Sequence, residues 1–229
     1  APTPWGLPLR CMISKNIDNL CFAGRNISAT HAAMSSSRVM ATCSILGQAL
    51  GTAVAQAINT SVTLENVDIA TLQQTLMEDD CYIPWHNREL SDITKNAKCS
   101  DDIIRNGIDR GKSNCWTGTT GQIIEYNFNE DVKISEIRLV FDSDLNRKYY
   151  NMPCNYPLEQ DKFKLPKTLI KEYKIVGISK SGNTQEIHIN DNHQRFVKHI
   201  VEWNVHTVQF IPLATNGSED FHLFDFELK

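Results

Sequence analysis

The spacing of apolar side chains changes character near residue 95. Beyond it, Ile137, Leu139 and Phe141 alternate with polar residues, as do Ile187 and Ile189, Val208 and Phe210, and Phe224, Phe226 and Leu228. Period-two patterning in short segments separated by Gly, Asn and Pro predicts an antiparallel β-sandwich. Ser181-Gly182-Asn183 has the composition of a hairpin turn between Tyr173–Ser179 and Glu186–Ile189. Asp142 to Thr168, with Tyr149, Tyr150, Pro153, Tyr156, Pro157 and Pro166, reads as one long connection. Connections of that length usually carry function.

Before residue 95 the pattern is helical. Leu20 to Ala23 predicts a short buried strand ending at Gly24, followed by a turn-like segment from Arg25 to Thr30. Ser35, Ser36 and Ser37 offer N-cap hydroxyls to a long helix running to Asn59. Asp68 is the N-cap of a second helix that places Ile69, Leu72, Leu76 and Met77 on one face. Ala41, Gly47, Gly51 and Ala55 leave a narrow face on the first helix, and glycine costs about 1 kcal/mol against alanine there, which implies close approach of a backbone or ligand. Val39 to Ile58 is the most apolar stretch, but Thr42, Ser44, Gln48, Thr52 and Gln56 interrupt it, so it reads as a buried helix and not a membrane span. One strand and two helices cannot close a core, so this region needs more chain or a partner. The fold class is therefore α+β in two regions, 1–94 and 95–229, joined by the polar stretch from Asn87 to Lys98.

Composition narrows the functional classes. Twenty-three Lys and Arg against 27 Asp and Glu leave a formal charge of −4, with no basic stretch to track a phosphate backbone, which argues against nucleic acid as a partner. Seven scattered cysteines include no C-x-x-C pair, so a zinc knuckle is not expected. Among the 11 glycines no two are separated by a single residue, so the chain contains neither a G-x-G-x-x-G fingerprint nor a P-loop. The start lacks a basic segment followed by an apolar one, so no signal peptide is read there.

The run from Cys11 through Asn19-Leu-Cys-Phe-Ala-Gly-Arg-Asn-Ile-Ser-Ala-Thr-His31 and Arg38-Val-Met to Leu46-Gly-Gln-Ala-Leu-Gly51 resembles the C-terminal flavin-binding segment of the FAD-dependent oxidoreductase family. The resemblance covers residues 4 to 80. It implies that Leu20 to Ala23 is the last strand of an FAD domain, and that Gly24 and Arg25 approach the cofactor's phosphate and ribityl region. The long helix would then aim its N-terminus at the flavin ring. The cofactor-contacting positions it implies are Gly24, Arg25, Ser28, Thr30, Arg38, Val39, Met40, Gly47 and Gln48, with His31 as the catalytic candidate. An anionic flavin suits a helix N-terminus, where unpaired N–H groups carry roughly half a positive charge. With no glycine fingerprint in the chain, FAD belongs to an intact parent that supplies the N-terminal part of the domain, and this chain alone is expected to be inactive.

The second region resembles the galactose-binding-like, discoidin (F5/8 type C) jelly-roll sandwich, on Asn106-Gly-Ile-Asp109 with Asn114-Cys-Trp116, Val132 to Phe141, Tyr173-Lys-Ile and Phe224-Asp-Phe-Glu-Leu228. Members of that family often hold calcium, and the matching oxygen donors here are Asp109, Asn114 and Asp225. Arg110 stands where a glycine is usual and Asn114 where a threonine is, and a cation beside Arg110 is disfavoured electrostatically. Such sandwiches also bind glycans through apical loops, which makes Trp116, Arg147, Tyr149 and Tyr150 the glycan candidates, although Trp116 and Trp203 read first as core or rim packing. The alternative function is thus a carbohydrate-binding module, and an extracytoplasmic location is the one expected.

Overall fold

The computed structural model describes residues 5–144 and 165–229, and the chain divides into two compact units, Ala1–Arg88 and Glu89–Lys229. In the first, backbone bonds from Ser14 to Leu20 and from Phe22 to Met12 close a small loop around the single bridge Ile13↔Cys21. Among the described residues the strand expected over Leu20–Ala23 is therefore not formed beyond this bridge, and Leu20 is exposed.

The helix boundaries also differ from the expectation. Thr30, not a serine of Ser35–Ser37, is the first N-cap: its Oγ1 accepts from the Ala33 amide at 3.3 Å and starts α1, His31–Ser37. Ser35 and Ser37 lie inside α1 and donate back to the carbonyls of Ala32 and Ala33. The chain then straightens at Val39 (φ −75°, ψ 147°) before α2, Met40–Thr60, so what reads as one helix is two. Asp68 caps α3, Ile69–Glu78, through the amides of Ala70 and Thr71, as the sequence predicts. Leu72, Leu76 and Met77 on α3 are buried, Leu72 and Leu76 in one cluster with Ala53 and Ala57 of α2 and Val67.

α2 is not the buried helix that its apolar content suggests. Leu46, Ala53 and Ala57 are its buried residues, whereas Met40, Ile45 and Ile58 are exposed and a Cβ on Gly47 or Gly51 would meet nothing within 4 Å. The chain's described residues bring no close neighbour to the small-residue face. By length and composition alone α2 could also cross a membrane.

The second unit begins with α4, Asp92–Asn96, and is otherwise built on seven antiparallel strands: β1 Lys98–Cys99, β2 Trp116–Gly118, β3 Ile124–Phe141, β4 Ile170–Ile178, β5 Thr184–Ile189, β6 Phe196–Thr215 and β7 Phe221–Leu228. Their order is β2-β7-β3-β6-β4-β5, with β1 on β3. Two long strands, β3 and β6, pair from Ile124↔Phe210 to Val140↔Phe196, interrupted by bulges between Asn127 and Val132 and between Ile134 and Glu136. Bulges bend strands and raise their twist. One half of the β3–β6 pair continues into β4 and β5, the other half of β3 into β7 and β2. The two halves fold face to face: Tyr126 and Phe210 of one meet Phe226 of the other at centroid distances of 5.2 and 5.9 Å, and Phe141 meets Tyr173 at 5.2 Å. This is the expected antiparallel sandwich, and its core is the aromatic seam between the halves. The predicted hairpin joins β4 to β5, with Gly182 at φ +84°, a conformation that favours glycine.

Residues 89–94 pack with this unit. The Thr94 hydroxyl donates to the Leu228 carbonyl at 2.9 Å and accepts from the Leu228 amide at 2.8 Å, while the Ser91 amide donates to Glu227 Oε1 at 2.6 Å. The second unit thus starts six residues ahead of position 95.

Candidate functional site

In the first unit, Arg25, His31 and Arg38 converge on one cavity of about 220 Å³, joined by Met34 and Ser35. The local fold explains the convergence. Gly24, at φ +128°, turns the chain so that Arg25 leaves the 13–21 bridge towards α1. His31 opens α1 behind its Thr30 cap, and Arg38 closes it as the C-cap one helical repeat later. Positions 31, 34, 35 and 38 share one face of a 3.6-residue helix. Met34 and Ser35 were therefore readable from spacing once His31 and Arg38 were chosen.

Charge in this cavity has one sign. Among the described residues no carboxylate lines it, and neither Arg25 nor Arg38 makes an ion pair. Directly after Arg38, α2 begins at Met40 with no side-chain cap, so its first amides keep open donor positions. Two guanidinium groups beside an uncapped helix N-terminus make an anion-seeking site.

The other sequence candidates lie around this centre. Val39 is the exposed N-cap residue of α2, and Met40, 90% exposed, follows it. Gly47 stands seven residues on from Met40, on the same exposed face, with Gln48 beside it. Thr30 is occupied as a cap. Ser28 points the site in another direction: it lines a second, larger cavity of about 750 Å³ with Arg10, Cys11, Ser14 and Lys15.

In the second unit the three proposed calcium ligands are arranged otherwise than a metal site requires. Asp109 and Asp225 do meet, but on Arg138: its Nη2 lies 2.9 Å from Asp109 Oδ2 and its Nη1 2.6 Å from Asp225 Oδ2. Asn114 is turned into its own loop, with Oδ1 accepting from Asn106 Nδ2 at 3.1 Å and Nδ2 donating to the Arg110 carbonyl at 2.9 Å. Among the described residues no cluster of three or more His, Cys, Asp or Glu side chains is placed to hold a metal. These residues do not fit a calcium ion.

The glycan candidates fare no better as a group. Trp116 is 8% exposed and belongs to the core, its ring lying over Gly118, where a Cβ would come within 2.0 Å of the indole. It offers no free stacking face. Arg147, Tyr149 and Tyr150 lie outside the described residues, as does most of the long connection containing them.

Sequence reasoning missed a pair at the base of that connection. His222 Nδ1 and Asp142 Oδ2 are 2.8 Å apart, and the Asp142 amide bonds to the His222 carbonyl. The hydrogen bond to Asp142 raises the His222 pKa above its ordinary value, outweighing burial. Burial pushes Asp142 upward, but the bonds from His222 and the Asp144 amide prevail and hold it below the usual carboxylate range. Nearby, burial and the Asp142 charge push the Cys115 thiol up to about 12, so it is a neutral, unreactive thiol.

Comparison with known proteins bears on the first unit. Residues 1–76 match the FAD dependent oxidoreductase family. The match spans Gly24, Arg25, His31, Arg38 and the whole of α2. No curated protein matches the chain. Among solved structures it is similar to a family 32 carbohydrate-binding module from Streptococcus pneumoniae EndoD, at 9% identity over 61% of this chain and 99% of that one, with a TM-score of 0.45. It is likewise similar to a fucose binding module of Streptococcus pneumoniae (10% identity, 61% and 98% coverage, TM-score 0.44) and to a chitosan-binding module of a Paenibacillus chitosanase/glucanase (12%, 62% and 97%, TM-score 0.41).

Proposed function

We propose that the first unit is the flavin-facing segment of an FAD-dependent oxidoreductase and that the sandwich is a module appended to it. The observation that carries this reading is the convergence of Arg25, His31 and Arg38 beside the uncapped start of α2, inside the span that matches the family. The residues present fit the cofactor. Arg25, Arg38 and the α2 amides would face its anionic atoms, Gly24 would let the backbone come close, and the bare face of α2 at Met40, Gly47 and Gln48 would lie along it or along the rest of its domain. Val39, Thr30 and Ser28 belong to the same neighbourhood.

Bound FAD supplies hydride transfer. What this chain would supply is electrostatic: fixed positive charge would stabilise negative charge on the flavin, and His31, on the same cavity wall, would hold or move a proton at an imidazole nitrogen. The adenosine diphosphate would be held elsewhere, by a segment bearing the glycine fingerprint that these residues lack. The test is the absorption spectrum of the protein encoded by the complete reading frame. Flavin bands together with an upstream G-x-G-x-x-G are expected; neither being found would overturn the reading.

A glycan-binding sandwich is the second reading. With Trp116 buried, it rests on residues of the long connection, so the flavin reading stands first.

A further inference from the structure

Arg138 is the least expected residue of the sandwich core. Its side chain is 0% exposed, yet it carries a charge that in an apolar interior costs several kcal/mol unless opposed. The structure opposes it twice, from two elements far apart in sequence. Asp225 comes from β7, the strand beside β3; Asp109 comes from the loop that precedes β2. A second arginine completes the arrangement: Arg195 donates from Nη2 to the Asp109 carbonyl at 2.5 Å and from Nη1 to the Phe141 carbonyl at 2.9 Å. The two guanidinium planes are backed by aromatic rings, Arg138 over Phe196 at 5.0 Å and Arg195 over Phe224 at 5.2 Å.

The loop so gripped, residues 106–114, has a closed shape of its own. Asn106 Oδ1 accepts from the Ile108 amide, Asn106 and Asn114 bond side chain to side chain, and Gly107 and Gly111 take positive φ. Asp109 ties this loop to the sheet. Two carboxylates brought onto one point repel unless a cation lies between them. A calcium ion would meet that need with six to eight oxygen ligands. Here the need is met by a planar fork of N–H donors on a strand, which bonds Oδ2 of each carboxylate.

We infer that Arg138 is the resident cation of this sandwich: its guanidinium does the work of a divalent metal, fastening loop 106–114 to β7 through Asp109 and Asp225. Two consequences distinguish this from a merely structural ion pair. The native module gains nothing from calcium, and removal of the guanidinium alone turns the same carboxylates into a cation-binding site.

The experiment uses the full chain and calcium itself. Thermal unfolding of the wild type should be the same in calcium and in a chelator, and amide exchange in residues 106–114 should not respond to the metal. A clear rise in melting temperature or slowing of exchange on adding calcium would overturn the inference. Arg138→Met, of similar length and uncharged, should melt about 10 °C lower in chelator, on the cost of stranding a buried charge pair in a unit of this size. Calcium should restore a substantial part of that loss. A folded Arg138→Met whose melting point ignores calcium would also overturn it. Should Arg138→Met fail to fold, Asp109→Asn keeps the cation on Asp225 and changes only a loop residue. It should speed exchange in 106–114 while β3 and β6 stay protected. Unchanged loop exchange would show that Asp109 and Arg138 are not the fastening.

Discussion

The ring of Trp203 occupies the place of a side chain on Gly177: a Cβ there would sit 2.7 Å from the indole Cε3 and 3.1 Å from Val205 Cγ1. Gly177 lies on β4 and Trp203 on the half of β6 that faces it across the core, so this glycine sets how closely the two layers approach. Gly177→Ala should destabilise the sandwich by about 1–3 kcal/mol, the range for overpacking a filled core. Denaturant unfolding followed by Trp203 fluorescence measures it. No change in midpoint would mean that the indole moves aside freely.

Two histidines of the sandwich, His199 and His222, should titrate in opposite directions. His199 meets the Tyr173 hydroxyl at 2.9 Å, and burial lowers its pKa. A depressed histidine contributes stability that is present above its unfolded value of about 6.5 and is lost as pH falls through the folded one. His222, raised by Asp142, contributes stability that is present below about 6.5 and is lost as pH rises through its folded value. Ring-proton NMR titration should give midpoints on either side of 6.5, His199 below and His222 above. Midpoints in the reverse order would refute both assignments. His222→Gln should flatten the alkaline side of the stability profile.

Arg25 and Arg38 are exposed and make no ion pair among the described residues, so little folding energy rests on them. On the proposed flavin reading, Arg38→Ala in the protein from the complete reading frame should weaken cofactor binding roughly tenfold or more, the loss of one charge-assisted contact. Its melting temperature without cofactor should change by little. Flavin retention on dilution, read by fluorescence, separates this from an arginine that only caps α1.

Thr94 works as a strand-like partner for β7, donating to and accepting from Leu228 while fully buried. Thr94→Val keeps the shape and removes both bonds, leaving the Leu228 amide without its partner. The expected cost is about 1–3 kcal/mol, measured by chemical denaturation. A chain beginning at residue 95 should be destabilised by at least as much, since it loses Ser91 as well.

Much of this was legible in the sequence wherever a signal is local. Period-two runs gave the strands of the sandwich, Ser181-Gly182-Asn183 its hairpin, and Asp68 the start of α3, because each depends on neighbours within a few residues. The failures are where distant chain decides. Leu20–Ala23 has strand composition but only Ile13 to pair with. Val39 breaks a helix that apolar periodicity alone would continue. Asp109 and Asp225 meet on Arg138, which lies on a strand whose alternation marks it only as a position facing away from Ile137 and Leu139. Trp116 reads first as packing, and Gly118 two residues on leaves a bare patch on the same strand face for its ring to cover.

β7 lies between β2 and β3, receives the Tyr126 hydroxyl on the Phe226 carbonyl, and holds Thr94 across 134 residues of chain. β2, one edge of β3 and the 89–94 segment thus depend on a strand made late. During synthesis from the N-terminus, β2, the β7-facing edge of β3 and the 89–94 segment stay open until Phe221–Leu228 has left the ribosome. Nascent chains stalled before that point are the forms of this protein most exposed to aggregation and most in need of a chaperone.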